Sequence, residues 1–86
     1  FHKQKKVLVS GDISNGYVDL AYEAKAYSTM VFISGGAGGY MHEGDDYTCS
    51  VVGGKTRITF AGEFGSGGAT ALEAGDIMYF QFQYTV

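Results

Sequence analysis

Hydrophobic and polar residues alternate along much of this chain, which is the pattern of β-strands with one buried face. The alternation is clearest near the end, where one set consists of Met78, Phe80, Phe82, Tyr84 and Val86 and the interleaved set of Tyr79, Gln81, Gln83 and Thr85. We predict a strand here, with the first set facing the core. The glutamines then face solvent or another copy of the chain.

A hairpin is predicted over residues 47–60. Residues 47–52 are rich in aromatic and β-branched side chains, and residues 55–60 place Ile58 and Phe60 on one face. Gly53-Gly54 separates the two segments. Two adjacent glycines favour a tight turn with positive φ at both positions.

The remaining strand candidates are shorter. Residues 6–10 and 17–20 are predicted strands with Asn15-Gly16 as a turn signal between them, and Val18 and Leu20 are candidate core residues. Residues 21–26 contain helix formers but are too few for a stable helix, so we predict a connection.

Residues 30–33 form a continuous apolar run, Met-Val-Phe-Ile. Such a run predicts a strand covered on both faces, either in the centre of a sandwich or at a subunit contact. Tyr40-Met41 begins another short strand. Residues 69–74 have good helix formers, but the flanking glycines leave room for at most one helical turn.

Together these signals predict an all-β fold. We expect a single small immunoglobulin-like β-sandwich of six to seven antiparallel strands over residues 7–86, with a small β-barrel as the alternative. Residues 1–6 are expected to form a basic N-terminal arm. A chain of 86 residues fits one hydrophobic core, although a domain of this size has a thin stability margin.

The charge distribution narrows the choice of partners. The formal net charge is −3, which argues against a nucleic-acid surface, where clustered cations neutralise phosphates. The one basic cluster comprises His2, Lys3, Lys5 and Lys6. A solvated terminal segment is the favoured interpretation, and an arm that contacts an acidic neighbour is the alternative. No stretch reaches the roughly 18 apolar residues of a membrane-spanning helix, so we expect no membrane insertion.

No motif points to catalysis, a metal or a cofactor. His42 and Cys49 lack the third group that orients a catalytic base. The cluster of His42, Glu43, Asp45 and Asp46 favours a solvated turn over a calcium site. The glycine-rich stretch 35–39 lacks the Lys-Ser/Thr of a phosphate-binding loop. We therefore predict a protein that is not an enzyme and has no cofactor.

Seven tyrosines raise the alternative of stacking on sugars, because each ring offers an apolar face and a hydroxyl. Partial burial in an aromatic core is the favoured interpretation for each of them. The candidate residues for contact with a partner or ligand are Lys3, Lys5, Lys6, Tyr22, Tyr40, His42, Asp45 and Tyr47.

Four segments, read in order, resemble the small β-sandwich modules of tailed-bacteriophage virion proteins. They are residues 12–20, 44–48, 57–60 and 71–77, and the likeness extends from about Val7 to Tyr84. The segments are turn and core signals. In the second, Gly-Asp-Asp-Tyr turns the chain and delivers Tyr47 into the core, and in the last Gly75-Asp76 starts the final strand.

The resemblance implies a structural role on a virus particle, with no enzyme activity. The leading hypothesis is a capsid decoration, cement or tail-accessory protein, assembled in the host cytoplasm and located in the virion. Its expected partners are other capsid or tail proteins and further copies of itself. The alternative is a carbohydrate- or receptor-binding module of a phage fibre, with a host glycan as ligand.

Overall fold

The computed structural model describes residues 2–34, 39–65 and 71–83. Within these residues the chain forms seven strands, one α-helix and one 3-10 turn. In chain order they are β1 (His2–Val7), α1 (Ser10–Asn15), β2 (Tyr17–Asp19), β3 (Met30–Ser34), β4 (Gly39–Met41), β5 (Tyr47–Val52), β6 (Lys55–Phe60), the 3-10 turn Gly62–Phe64, and β7 (Ile77–Phe82).

The strands form two antiparallel sheets. One has four strands in the order β1-β7-β3-β4, and the other has three in the order β2-β6-β5. Two separate sheets with apolar side chains between them confirm the predicted small all-β sandwich. They do not form the alternative, a single closed barrel.

The core lies between the two sheets and is built from inward-facing residues of both. Its buried members are Leu8, Val18, Leu20, Val31, Ile33, Met41, Tyr47, Ile58, Phe64, Leu72, Met78, Phe80 and Phe82. The alternation predicted for the last strand is confirmed, since Met78, Phe80 and Phe82 are all buried. Tyr84 and Val86 lie outside the described residues.

The predicted hairpin is confirmed. β5 and β6 pair in register from Tyr47 opposite Phe60 to Val52 opposite Lys55. Gly53 and Gly54 connect them with φ values of 61° and 77°, the left-handed conformation that a two-residue hairpin turn requires.

The basic N-terminal segment belongs to the sandwich, so the predicted arm over residues 1–6 is wrong for residues 2–6. His2–Val7 pairs along its whole length with β7, and the strand predicted at residues 6–10 ends at Val7. The segment His-Lys-Gln-Lys-Lys-Val has almost no apolar set of its own, so its alternation gives no strand signal. β7 supplies the apolar neighbours that make this strand stable.

A short helix follows where a strand was expected to continue. α1 begins at Ser10, after the Val9 N–H donates to the Asp12 carboxylate at 3.0 Å. Gly16, with φ of 80°, ends the helix by donating its N–H to the Asp12 carbonyl at 2.9 Å. Six residues are too few for a helical pattern to show in the sequence.

The other short strands lie close to their predicted positions. Val18 and Leu20 are buried, and Met41 of β4 reaches the core. Residues 21–26 form a connection rather than a helix. The Gly75-Asp76 turn precedes β7, with a φ of 98° at Gly75. The glycine-rich stretches at 35–38 and 66–70 lie outside the described residues.

β3 differs from its prediction in one respect that matters for function. Val31 and Ile33 are buried, but Phe32 between them is 45% exposed. The prediction that other parts of the same chain cover both faces of β3 is therefore wrong. The alternative reason for a continuous apolar run, a contact with another subunit, stays a prediction.

Candidate functional site

Three aromatic rings and a lysine form a row across the outer face of the four-stranded sheet. Directly paired residues on neighbouring strands point to the same face of a sheet. Phe32 of β3 pairs with Tyr40 of β4 on one side and with Tyr79 of β7 on the other, and Tyr79 pairs with Lys5 of β1. The row Tyr40–Phe32–Tyr79–Lys5 thus takes one residue from each strand.

The rings of the row are accessible to solvent, and two of them pack against each other. Tyr40 and Tyr79 are each 42% exposed, close to the value for Phe32. The Phe32 and Tyr40 ring centroids lie 5.0 Å apart with planes inclined by 57°. His42 extends the cluster, 5.1 Å from Tyr40 and inclined by 69°. These are the tilted and edge-to-face contacts that aromatic pairs prefer.

Lysines border the row at its β1 end. Lys3 and Lys5 alternate with inward-facing residues of β1, so both lie on the outer face. A shallow groove of about 290 Å³ there is lined by both lysines, Phe32, Tyr79 and other residues of β1 and β7. We name the surface formed by Lys3, Lys5, Phe32, Tyr40 and Tyr79 the aromatic face.

The third lysine of the predicted basic cluster is separate from this face. Lys6 pairs with the buried Met78 and so points to the other side of β1. Its ammonium lies 3.5 Å from the Asp12 carboxylate. Of the two ion pairs between described side chains, neither involves Lys3 or Lys5. The aromatic face therefore presents two cations that no described carboxylate neutralises.

The outer face of the three-stranded sheet differs from the aromatic face because it carries an ion pair. Arg57 Nε donates to Asp19 Oδ1 at 2.8 Å, and the guanidinium lies 3.9 Å from the centroid of the Tyr17 ring. The hydrogen bond from Arg57 holds the pKa of the Asp19 carboxyl below its ordinary value. The charge of Arg57 is therefore satisfied within the sheet.

The prediction that Tyr47 contacts a partner or ligand is wrong. The Tyr47 ring is 0% exposed and belongs to the core. Its hydroxyl lies 2.8 Å from Thr29 Oγ1 and donates to the Thr29 carbonyl at 3.2 Å. Burial raises the pKa of Tyr47 to about 12. The tyrosine completes the core and cannot reach a partner.

Tyr22 is exposed, as the contact prediction requires, but lies apart from the aromatic face. Its ring packs edge-on against His2, with centroids 4.8 Å apart. His2 in turn contacts the core residue Phe82 at 5.4 Å. Tyr22 therefore shields the end of the core beside β1.

The acidic turn at 43–46 is built by its own hydrogen bonds. The Asp46 carboxylate accepts from the His42 N–H at 2.8 Å, and the Gly44 N–H donates to the Tyr47 carbonyl at 2.7 Å. Asp45 is exposed. Among the described residues, no group of three His, Cys, Asp or Glu side chains is arranged to hold a metal ion.

A second concavity opens at the side of the sandwich. It has a volume of about 320 Å³, and its lining includes Tyr27, Thr29, Glu43 and Cys49. Thr29 Oγ1 donates to the Glu43 carboxylate at 3.0 Å. Tyr27 at its mouth is 91% exposed and has φ of 61°, an unusual conformation for a bulky residue.

Cys49 in this groove is not activated for nucleophilic chemistry. Burial, and to a smaller degree the Glu43 carboxylate, raises the pKa of the Cys49 thiol. The raised pKa leaves the thiol protonated, whereas a nucleophilic cysteine is a thiolate. Its neighbour is Thr29 Oγ1, 3.8 Å from the sulfur, while the His42 ring packs on Tyr40.

Sequence reasoning identified Lys3, Lys5 and Tyr40 but missed Phe32 and Tyr79. The continuous apolar run predicts that Phe32 is covered, and the alternation of β7 places Tyr79 among the residues interleaved with the core-facing set. A signal exists for Tyr79, which belongs to the same phase of β7 as Gln81 and Gln83. Phe32 lies in a continuous apolar run, so no alternation marks its ring as exposed.

Comparison of the chain with protein-family models, with curated proteins and with solved structures finds no significant match in any of the three. Among the described residues, none of the helices has the length and apolar character needed to cross a membrane.

Proposed function

We propose that this chain is a non-enzymatic structural component of a bacteriophage virion, a decoration or tail-accessory protein that docks on an acidic protein surface through its aromatic face. The observation that supports this most is the row Tyr40–Phe32–Tyr79–Lys5, exposed across all four strands of one sheet. The sequence resemblance to virion modules supports the virus particle as the place where the protein assembles.

The composition of the aromatic face suits a protein interface. Aromatic side chains are enriched at the centres of such interfaces, and charged groups occupy their rims. Phe32 and Tyr79 form the centre here, with Lys3 and Lys5 at the edge. Because all of them lie on paired strands, their backbone is ordered before binding, which lowers the entropic cost of association.

The inclination of the rings favours protein over a polysaccharide chain. Stacking successive sugars on a flat surface needs rings that lie roughly in one plane. The plane of Tyr40 is inclined by 57° to Phe32 and by 69° to His42. Side chains of a protein partner can pack between tilted rings, as they do in a core.

The two lysines specify the charge of the partner. Lys3 and Lys5 are exposed and have no described ion-pair partner. A carboxylate-rich surface would bring them a counter-charge and increase the association rate. Because rim charges are screened by salt, binding should weaken as ionic strength rises.

The test is incorporation into particles of the phage that encodes the chain. We expect mass spectrometry of purified particles to find a fixed number of copies per particle. Phe32→Glu and Tyr79→Glu each remove an exposed ring and add a negative charge, so each should weaken binding roughly tenfold or more, the usual loss for a central aromatic residue. Occupancy should fall accordingly.

Ser10→Glu is the control, since it adds the same charge at an exposed position in the first turn of α1. It should leave occupancy unchanged. Absence of the wild-type chain from particles would overturn the proposal, as would full occupancy by both ring variants. Retention of the ring variants together with binding to a glycan array that Tyr27→Ala abolishes would favour the sugar-binding alternative at the side groove.

A further inference from the structure

The edge of the three-stranded sheet at β5 is a long strand edge with no charged residue. β5 has one neighbour, β6, so its other side is unpaired among the described strands. Its six residues, Tyr-Thr-Cys-Ser-Val-Val, include neither charge nor proline. The other three edges are protected: β1 has three lysines, and β2 and β4 have three residues each.

The direction of the free backbone groups follows from the neighbouring strand. The Thr56 N–H donates to the Tyr22 carbonyl at 3.2 Å, and the Thr56 carbonyl accepts from the Leu20 N–H at 2.8 Å. Both bonds lie on the β2 side of β6. Thr56 therefore does not hydrogen-bond to Val51, the residue opposite it on β5.

Hydrogen-bonded and non-bonded pairs alternate along an antiparallel ladder. Val51, Cys49 and Tyr47 thus direct their N–H and C=O groups outward from β5. The Tyr47 carbonyl is already occupied, since it accepts from the Gly44 N–H at 2.7 Å. Within residues 2–34, 39–65 and 71–83, no backbone hydrogen bond outside the β5–β6 ladder engages Cys49 or Val51.

We propose that β5 pairs antiparallel with β5 of a second copy about a two-fold axis at Ser50. Cys49 then exchanges both of its backbone hydrogen bonds with the partner's Val51, and Val51 does the same with the partner's Cys49. The two three-stranded sheets become one continuous sheet of six strands. This surface lies on the opposite sheet from the aromatic face, so the dimer does not depend on the proposed function.

The two neighbouring registers leave some of the free backbone groups of β5 without a hydrogen-bond partner. Pairing Cys49 with the partner's Cys49 places Val51 opposite the partner's Tyr47, whose carbonyl is occupied. Pairing Val51 with the partner's Val51 places Cys49 opposite the partner's Gly53, which lies in the hairpin turn. The register centred on Ser50 satisfies all four free groups on each copy.

A second copy of the chain is the occupant that suits this strand. Antiparallel self-pairing places each residue opposite an uncharged one, so no like charges meet. Val51 is 57% exposed and Val52 is also exposed. In the dimer, Val51 packs beside the partner's Cys49 and Val52 beside the partner's Thr48, which removes apolar surface from water.

The first test is the mass in solution by light scattering over a range of concentrations. The wild type should approach twice the monomer mass of 9.2 kDa. Ser50→Glu should stay at the monomer mass, because two carboxylates would meet at the two-fold axis. Ser50 is exposed, so the substitution should preserve folding.

Ser10→Glu, the same substitution on α1, should dimerise like the wild type. A wild-type mass that stays at the monomer value at millimolar concentration would overturn the proposal. So would a Ser50→Glu protein that is folded by circular dichroism and still dimerises. Incorporation into particles measures a different surface, so either result there leaves the outcome of this test unchanged.

The register is tested by cross-linking under oxidised glutathione. At a non-bonded antiparallel pair, opposite Cα atoms lie about 4.5 Å apart, within the range a disulfide spans. Ser50→Cys in a Cys49→Ser background should give a covalent dimer. Thr48→Cys in the same background should not, since it faces the partner's Val52. Efficient cross-linking of wild-type Cys49 with none at Ser50→Cys would refute the register.

Discussion

Tyr47→Ala should lower the free energy of unfolding by about 3–5 kcal/mol, the range for truncating a large buried aromatic residue. The Tyr47 ring is fully buried in the core between the two sheets, so its loss leaves a cavity lined by side chains of both. A domain of 86 residues has a total stability of roughly 4–13 kcal/mol. The variant therefore loses a large part of its stability, which urea denaturation followed by circular dichroism will measure.

Tyr47→Phe is the matched control, because it keeps the ring and removes the hydroxyl. It should cost about 1 kcal/mol, the net value of a typical hydrogen bond. Thr29 Oγ1 keeps the Glu43 carboxylate as its acceptor, which limits the loss. Equal effects of the alanine and phenylalanine variants would contradict the packing role of the ring.

A comparison of the wild type with Tyr47→Phe also tests the environment of the Tyr47 phenol at high pH. Burial raises the pKa of Tyr47 to about 12, against roughly 10 in the unfolded chain. The neutral phenol is favoured in the folded state, so its contribution to stability is complete below pH 10 and is lost as the pH rises towards 12. Wild-type stability should fall more steeply than that of Tyr47→Phe between pH 10 and pH 12.

Gly62→Ala should be the most destabilising single glycine substitution among those that the structure describes. Gly62 begins the 3-10 turn with φ of 58°, and a Cβ there would overlap the carbonyl oxygen of Asp45. The adjacent Ala61 N–H donates to the Asp46 carbonyl at 2.8 Å, so the two backbone segments are held together. The substitution combines left-handed strain of about 1–2 kcal/mol with an overpacking cost of about 1–3 kcal/mol.

Gly53→Ala separates these two costs. Gly53 has φ of 61°, almost the same as Gly62, but a Cβ there would meet open space. Gly53→Ala should therefore cost only the left-handed strain, about 1–2 kcal/mol. The difference between the two urea midpoints measures the contact with Asp45. Similar midpoints for the two variants would show that the turn at 43–46 moves away to accommodate the methyl group.

Short-range signals in the sequence were enough to place much of the sandwich. The period of two in β7 and the paired glycines of the β5–β6 hairpin are local features, and the structure confirms both. β1 and α1 could not be placed in the same way. β1 consists of polar residues made strand-like by β7, and α1 is six residues held by the Asp12 cap and by Gly16.

The sequence predicts only part of the candidate site, for a related physical reason. Tyr40 and Tyr47 are the same residue type seven positions apart, yet one ring is on the surface and the other in the core. Composition cannot separate them, because their exposure depends on which sheet face each strand directs inward. That choice requires the second sheet to be in place.

The sequence by itself determined the all-β class, the hairpin, the alternation of β7 and the absence of a charged or proline residue in β5. Only the tertiary structure decided that Tyr40, Phe32, Tyr79 and Lys5 share one row, and that β5 is left at an edge. The row joins three distant parts of the chain, namely β1, the neighbouring strands β3 and β4, and β7. The pairings of β1 with β7 and of β7 with β3 bring together residues from distant parts of the chain, so only the assembled sheet decides which of them lie side by side.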